Sequence, residues 1–188
     1  MKSVIIAGVD WSMCAPGFVI GKASANFQDC KSWVVAPQKK YEGPMFDGKI
    51  IGLVPPVYAC QQERFEKLTD LFIDIIKKEK VDEVCMEGYS YGSKGVIFDI
   101  AENGGLLKYK MWKAGIPFTL PSPSELKKFF TGKGNAKKEQ MVEAFKVKTK
   151  IDLLKVFDYT KKDIGSPVAD IADAYALHCF KSAEFALK

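Results

Sequence analysis

The chain has 188 residues, of which 47% are apolar and 27% charged, and 28 Lys and Arg against 23 Asp and Glu give it a net charge of +5. This composition supplies a core for one domain of about 100–200 residues and excludes a disordered or collagen-like chain. No run approaches the roughly 20 apolar residues of a membrane span, and only six apolar or small residues precede Asp10, so neither a secretory leader nor a membrane anchor is expected.

Lys2–Asp10 (KSVIIAGVD) reads as a buried strand ending in an acid, and Gly17–Gly21 and Lys31–Val35 as two more strands of an antiparallel meander. Pro37, Gly43, Pro44, Gly48, Gly52, Pro55 and Pro56 break every period over residues 37–60, which predicts a long loop or irregular insertion. Phe65, Leu68, Leu71, Phe72, Ile75 and Ile76 recur at helical spacing over Gln61–Lys80. Val81–Glu87 (VDEVCME) then reads as a strand that again ends in an acid. A Gly/Ser/Tyr loop leads to a helix over Val96–Ala114 and a short strand over Ile116–Leu120. Ser122 or Ser124 caps the helix PSELKKFF, the turn TGKGN precedes the helix AKKEQMVEAFKVK, and Val168–Ala186 forms the last helix. This order predicts a mixed sheet with helices on its faces, in a single domain spanning 1–188.

Five scattered cysteines without a CxxC pair argue for reduced thiols in a cytoplasmic setting, and a single histidine, His178, excludes a site built from several. Charge is distributed unevenly. From Lys108 to Lys150 there are 11 lysines against Glu125, Glu139 and Glu143, which suggests a surface facing a polyanion, with a solvated lysine-rich face as the plainer alternative.

Against this basic stretch stand four carboxylates. Asp10 and Glu87 end predicted strands, where a side chain is held rigidly yet open to solvent. Asp170 and Asp173 in PVADIADAYAL share one helix face among small residues that permit close approach to a sheet. Like charges on a packed face call for a cation. A helix N-terminus would also favour Asp170, though less so Asp173. Oxygen donors without soft ligands point to Mg²⁺ or Mn²⁺, and a pair of such ions at a basic surface is suited to phosphodiester hydrolysis.

The segments VIIAGVDWSMCAPGFVI, VCMEGYSYG with IFDIAENGGLLKY, PSPSELKKFFTGKGNAKKEQMV and DIADAYAL together resemble the RuvC family of Holliday junction resolvases. The resemblance covers most of the chain outside roughly 37–60 and 150–165. It implies a ribonuclease H-like fold with a five-stranded mixed sheet flanked by helices. It further implies a homodimer that cuts opposing strands of a four-way junction symmetrically with Mg²⁺ or Mn²⁺, two ions per site and no nucleotide cofactor.

The family's catalytic and metal-binding tetrad falls on Asp10, Glu87, Asp170 and Asp173. Its DNA contacts fall on Lys127 and Lys138, with Lys128, Lys133 and Lys137 beside them. Three departures stand out. Ser90 occupies the position of the bacterial aromatic, with Tyr89 and Tyr91 on either side as candidates to stack on an unpaired base. The 37–60 segment has no compact bacterial counterpart and suggests a phage-encoded or divergent member. The loops that would impose a cleavage sequence are not recognisable. A relaxed debranching endonuclease, a hybrid-cleaving nuclease and a non-catalytic junction-binding protein remain the alternatives.

Overall fold

The computed structural model describes residues 3–88 and 97–186. The first three strands, β1 (Ile5–Asp10), β2 (Gly17–Lys22) and β3 (Lys31–Val35), pair antiparallel in sequence order, as the meander predicts. After them come β4 (Gly43–Met45), β5 (Ile50–Leu53), α1 (Gln61–Lys78), β6 (Glu83–Met86), α2 (Ile97–Lys113) and β7 (Phe118–Thr119). Four helices close the chain: α3 (Pro123–Thr131), α4 (Lys138–Thr149), α5 (Leu153–Val156) and α6 (Val168–Ala186). The strands form one mixed sheet in the order β4-β5-β3-β2-β1-β6-β7, in which β6 lies parallel to both β1 and β7. No helix among the described residues is long and apolar enough to cross a membrane.

Among the described residues there are seven strands where the family resemblance implies five, and β4 and β5 come from the segment read as an irregular loop. The prolines that break the pattern, Pro37, Pro55 and Pro56, lie outside both strands, and Pro44 sits on the outermost one, where a missing N–H is tolerated. Between them Ile50 is fully buried and β5 runs parallel to β3, so the Ser32 and Ala36 N–H groups donate to the Lys49 and Leu53 carbonyls at 2.8 Å each. Phe46, Asp47 and Gly48 all take positive φ, and this turn joins the hairpin.

Side chains alternate through the sheet and build a core on each face. Phe18 and Ile20 of β2, Ala7 and Val9 of β1 and Val84 and Met86 of β6 meet α1 and α2 through Phe72, Ile76, Leu107 and Met111. On the other face Val19, Val34 and Cys85 pack under α3, α4 and α6 through Leu126, Phe145, Ile171 and Tyr175. Phe27, Phe145 and Tyr175 form a triad of edge-on rings with centroids 4.9–5.4 Å apart; each such pair contributes about 0.5–1.5 kcal/mol beyond its buried area.

The position of α6 depends on two glycines in the strands beneath it. A Cβ on Gly8 would collide with the Ala174 carbonyl oxygen, and one on Gly17 would lie 2.9 Å from the Asp170 carbonyl oxygen. Glycine at these positions lets the helix lie directly on β1 and β2. At its far end Lys181, only 5% exposed, is held by Glu83 at 2.8 Å and Glu184 at 2.7 Å, which ties the helix to the start of β6.

Candidate functional site

Three elements bring the four acids together. The parallel pairing of β1 with β6 sets Val9 opposite Met86, so Asp10 and Glu87 lie side by side, one residue further, where the strands end. Asp10 in turn pairs across with Gly17, over which the Asp170 backbone of α6 rests. Asp173 follows one turn along the same helix face. All four are half-buried and line a single cavity of about 750 Å³.

Their electrostatics follow from that confinement. Burial holds Asp10 well above the usual carboxylate range, and Asp170, Asp173 and Glu87 raise it further against an opposing pull from Lys138. Burial, then Glu87 and Asp170, push Asp173 up to about 7, with Lys127 and Lys138 opposing. Asp170 rises to about 6 through burial, while the Ser166 hydroxyl and Lys138 pull it back. Glu87 is raised by burial against the charge of Lys127. The four half-buried acids, with the exposed Glu139 as a fifth carboxylate on the cavity wall, thus share an excess of negative potential that the nearby lysines only partly offset.

Among the described residues no three Asp, Glu, His or Cys side chains are already gathered as a ligand set; the carboxylates stand around the cavity and repel one another. As donors they are hard oxygens only, carried on two strand ends and a helix, which fits Mg²⁺ or Mn²⁺ and not zinc.

The lysines divide into two groups. Lys127 of α3 and Lys137 and Lys138 at the start of α4 line the acidic cavity. Lys128 and Lys133 are exposed and do not line it; Lys133 borders a separate groove between α3 and α4. Both helix starts are built locally. Ser122 and Glu125 form a reciprocal capping box before α3, with the Ser122 N–H donating to Glu125 Oε2 at 2.8 Å, and the Gln140 side chain accepts the Lys137 N–H at 2.9 Å. Tyr89 and Tyr91 lie outside the described residues.

Three residues of the site escape a reading of the sequence. Ser166 donates its hydroxyl to Asp170 Oδ2, fixing one carboxylate oxygen. Ser12 and Asn135 complete the cavity wall. Ser166 lies two residues before α6 and donates to a carboxylate, unlike a capping serine that accepts a helix N–H, so no capping pattern marks it in the sequence.

Two residues take different places. His178 is fully buried, stacked on Tyr175 with 6.0 Å between centroids, and borders another cavity. Trp11 braces the end of β1 against Phe18 and Phe72, at 6.3 and 5.8 Å.

Comparison with known proteins places these features in context. The profile of the family described as crossover junction endodeoxyribonuclease RuvC matches residues 51–179. The crossover junction endodeoxyribonuclease RuvC of Corynebacterium diphtheriae is 29% identical over 142 residues, covering 73% of this chain and 80% of its own length. The protein of the same name from Aliarcobacter butzleri is 31% identical over 128 residues, covering 67% and 75%. T. thermophilus RuvC, solved in complex with Holliday junction substrate, superposes with a TM-score of 0.60 over 97% of this chain and 96% of that one at 15% identity, a likeness of fold.

Proposed function

The chain belongs to the RuvC family, and from that premise we propose that it is a structure-selective endodeoxyribonuclease that resolves four-way DNA junctions by symmetric hydrolysis of opposing strands. The observation that carries this reading is one cavity in which four carboxylates from β1, β6 and α6 meet three lysines from α3 and α4.

In this reading Asp10, Glu87, Asp170 and Asp173 hold two Mg²⁺ or Mn²⁺ ions and are the catalytic residues. The ions supply Lewis acidity and lower the pKa of bound water. The chain's own residues do the remaining work. Glu87 and Asp10 sit on rigid strand ends, so their oxygens meet the scissile phosphate region without reorganisation. Ser166 keeps one Asp170 oxygen engaged and leaves the other to face the cavity. Lys127 and Lys138 moderate the charge of the carboxylates and contact flanking phosphates, with Lys137 beside them on the cavity wall. Lys128 and Lys133 extend the same basic surface toward more distant backbone, and Tyr89 and Tyr91 are retained as stacking candidates.

Symmetric cutting requires two such cavities at a fixed separation, hence a homodimer. Its supporting observation is the outer face of α2, where Phe98, Tyr109 and Trp112 are 78%, 54% and 71% exposed. We assign this face to a second copy of the chain. The single domain is proposed to act in the cytoplasm.

Strand-resolved cleavage of an immobile four-way junction tests the proposal, run beside a fork, a flap, a linear duplex and an RNA–DNA hybrid in Mg²⁺ or Mn²⁺. Paired nicks on opposing strands of the junction, lost in Asp170→Asn, are the expected result. Equal cutting of every branch would replace it with a general debranching nuclease. Junction binding by the unmutated protein without cleavage would leave a binding module.

A further inference from the structure

A second cavity of about 330 Å³ adjoins the acidic one, at the small end of the roughly 300–1,000 Å³ typical of organic-ligand sites. The two share Asp10, Ser12 and Glu87 as a common wall. Beyond that wall the chemistry changes: Trp11, Met13, Met86 and Ile100 make the lining largely apolar. Two polar atoms on lining residues are buried without a partner, the Trp11 Nε1 donor and the Asn103 Oδ1 acceptor. Asn103 is 1% exposed, and its Nδ2 donates to the Ser12 carbonyl at 3.5 Å, so the side chain is held from the loop that follows Asp10.

Buried donors and acceptors are ordinarily satisfied, and an apolar slot with one unmet donor and one unmet acceptor matches a flat, mostly apolar ligand with a polar edge. Its wall includes the Asp10 and Glu87 carboxylates, so a ligand attached to a phosphate bound there needs to extend by only one nucleotide. We propose that this cavity receives the base of an unpaired nucleotide adjoining the scissile phosphate, with the Trp11 ring as a wall and Asn103 contacting the base edge. The inference rests on the DNA-cleaving reading given above. A base already unpaired at a branch point enters such a slot at the least cost in lost stacking, which links recognition of branching to the chemistry next door.

The test uses the full-length protein on four-way junctions carrying a single abasic nucleotide at each position within two of the cut, under single-turnover conditions. One position is expected to slow wild-type cleavage about tenfold or more, as loss of a base–aromatic contact does. Asn103→Leu keeps the shape and removes both the unmet acceptor and the amide that donates to the Ser12 carbonyl. It is expected to cut the intact junction more slowly and to respond less than the wild type to the abasic nucleotide at that position. Wild-type cleavage at the parental rate on every abasic junction would overturn the base slot while leaving the nuclease intact. If Asn103→Leu fails to fold, the wild-type series decides alone. If the wild type cuts no branched DNA, the underlying reading fails and the slot with it.

Discussion

Asp173 shows at single-residue scale what crowding carboxylates into one cavity costs in stability. Asp170 and Asp173 hold their protons more tightly in the folded chain, up to about 6 and 7, than the roughly 3.9 of an unfolded aspartate. Their contribution to stability is therefore complete below about pH 4 and is lost as pH rises through 6 and 7. Metal-free protein carrying Asp173→Asn is expected to melt above the wild type at pH 8, with the gap closing toward pH 4. Differential scanning calorimetry reads this at roughly 2–4 °C per kcal/mol for a chain of this size. Mg²⁺ is expected to raise the wild-type melting temperature more at pH 8 than at pH 5, and junction cleavage by the variant to be lost. Ser166→Ala removes the hydroxyl that fixes Asp170; about a 10–100-fold weaker response to Mg²⁺ in a cleavage titration is expected, with saturating metal restoring much of the rate. The four acids were legible in the sequence because strand ends and an i, i+3 helix pair are local patterns. Ser166 was not, because its role depends on how the chain enters α6.

At the scale of elements, the site depends on how closely α6 can lie on β1. Gly8→Ala would force a methyl group into the Ala174 carbonyl, and backbone cannot swing aside as a side chain does. A loss of about 1–3 kcal/mol or more in urea unfolding is expected, with cleavage reduced because Asp170 and Asp173 move with the helix. Helices α3 and α4 bury Leu126 and Phe145 in the core and present Lys127 and Lys138 to the acidic cavity. Lys127→Ala and Lys138→Ala are each expected to weaken junction binding and to lower the slope of log affinity against log salt by about one, with little change in melting temperature. Apolar periodicity made α1 legible, though it ends at Lys78 and not at the expected Lys80; α6 matches its expected bounds, and Ser122 with Pro123 marked the start of α3. The β4–β5 hairpin was hidden because its strands are three and four residues long, too short for a period to emerge amid the prolines. The Asp47-Gly48 pair was the available signal of a tight turn.

For the whole molecule, the proposed dimer uses the outer face of α2 to set two cavities at a fixed separation. Trp112→Glu places a charge on the proposed interface without touching the acidic cavity. Light scattering is expected to report a monomer, and the junction assay to give single, unpaired nicks in place of coordinated pairs. The mixed sheet with helices on both faces followed from the order of elements. The homodimer came only as what the family resemblance implies, and the face proposed for it stands out once Leu107 and Met111 are seen to fill the core side and to leave Phe98, Tyr109 and Trp112 outward.

The two margins of the sheet bear on how copies can meet. One is β4, three residues with Pro44 at its centre, and the other is β7, two residues long. Neither offers a run of free backbone groups long enough to template a neighbour's strand, and proline withdraws one donor outright. Growth of the sheet from chain to chain is blocked at both ends, so filaments built by strand addition are closed to this fold.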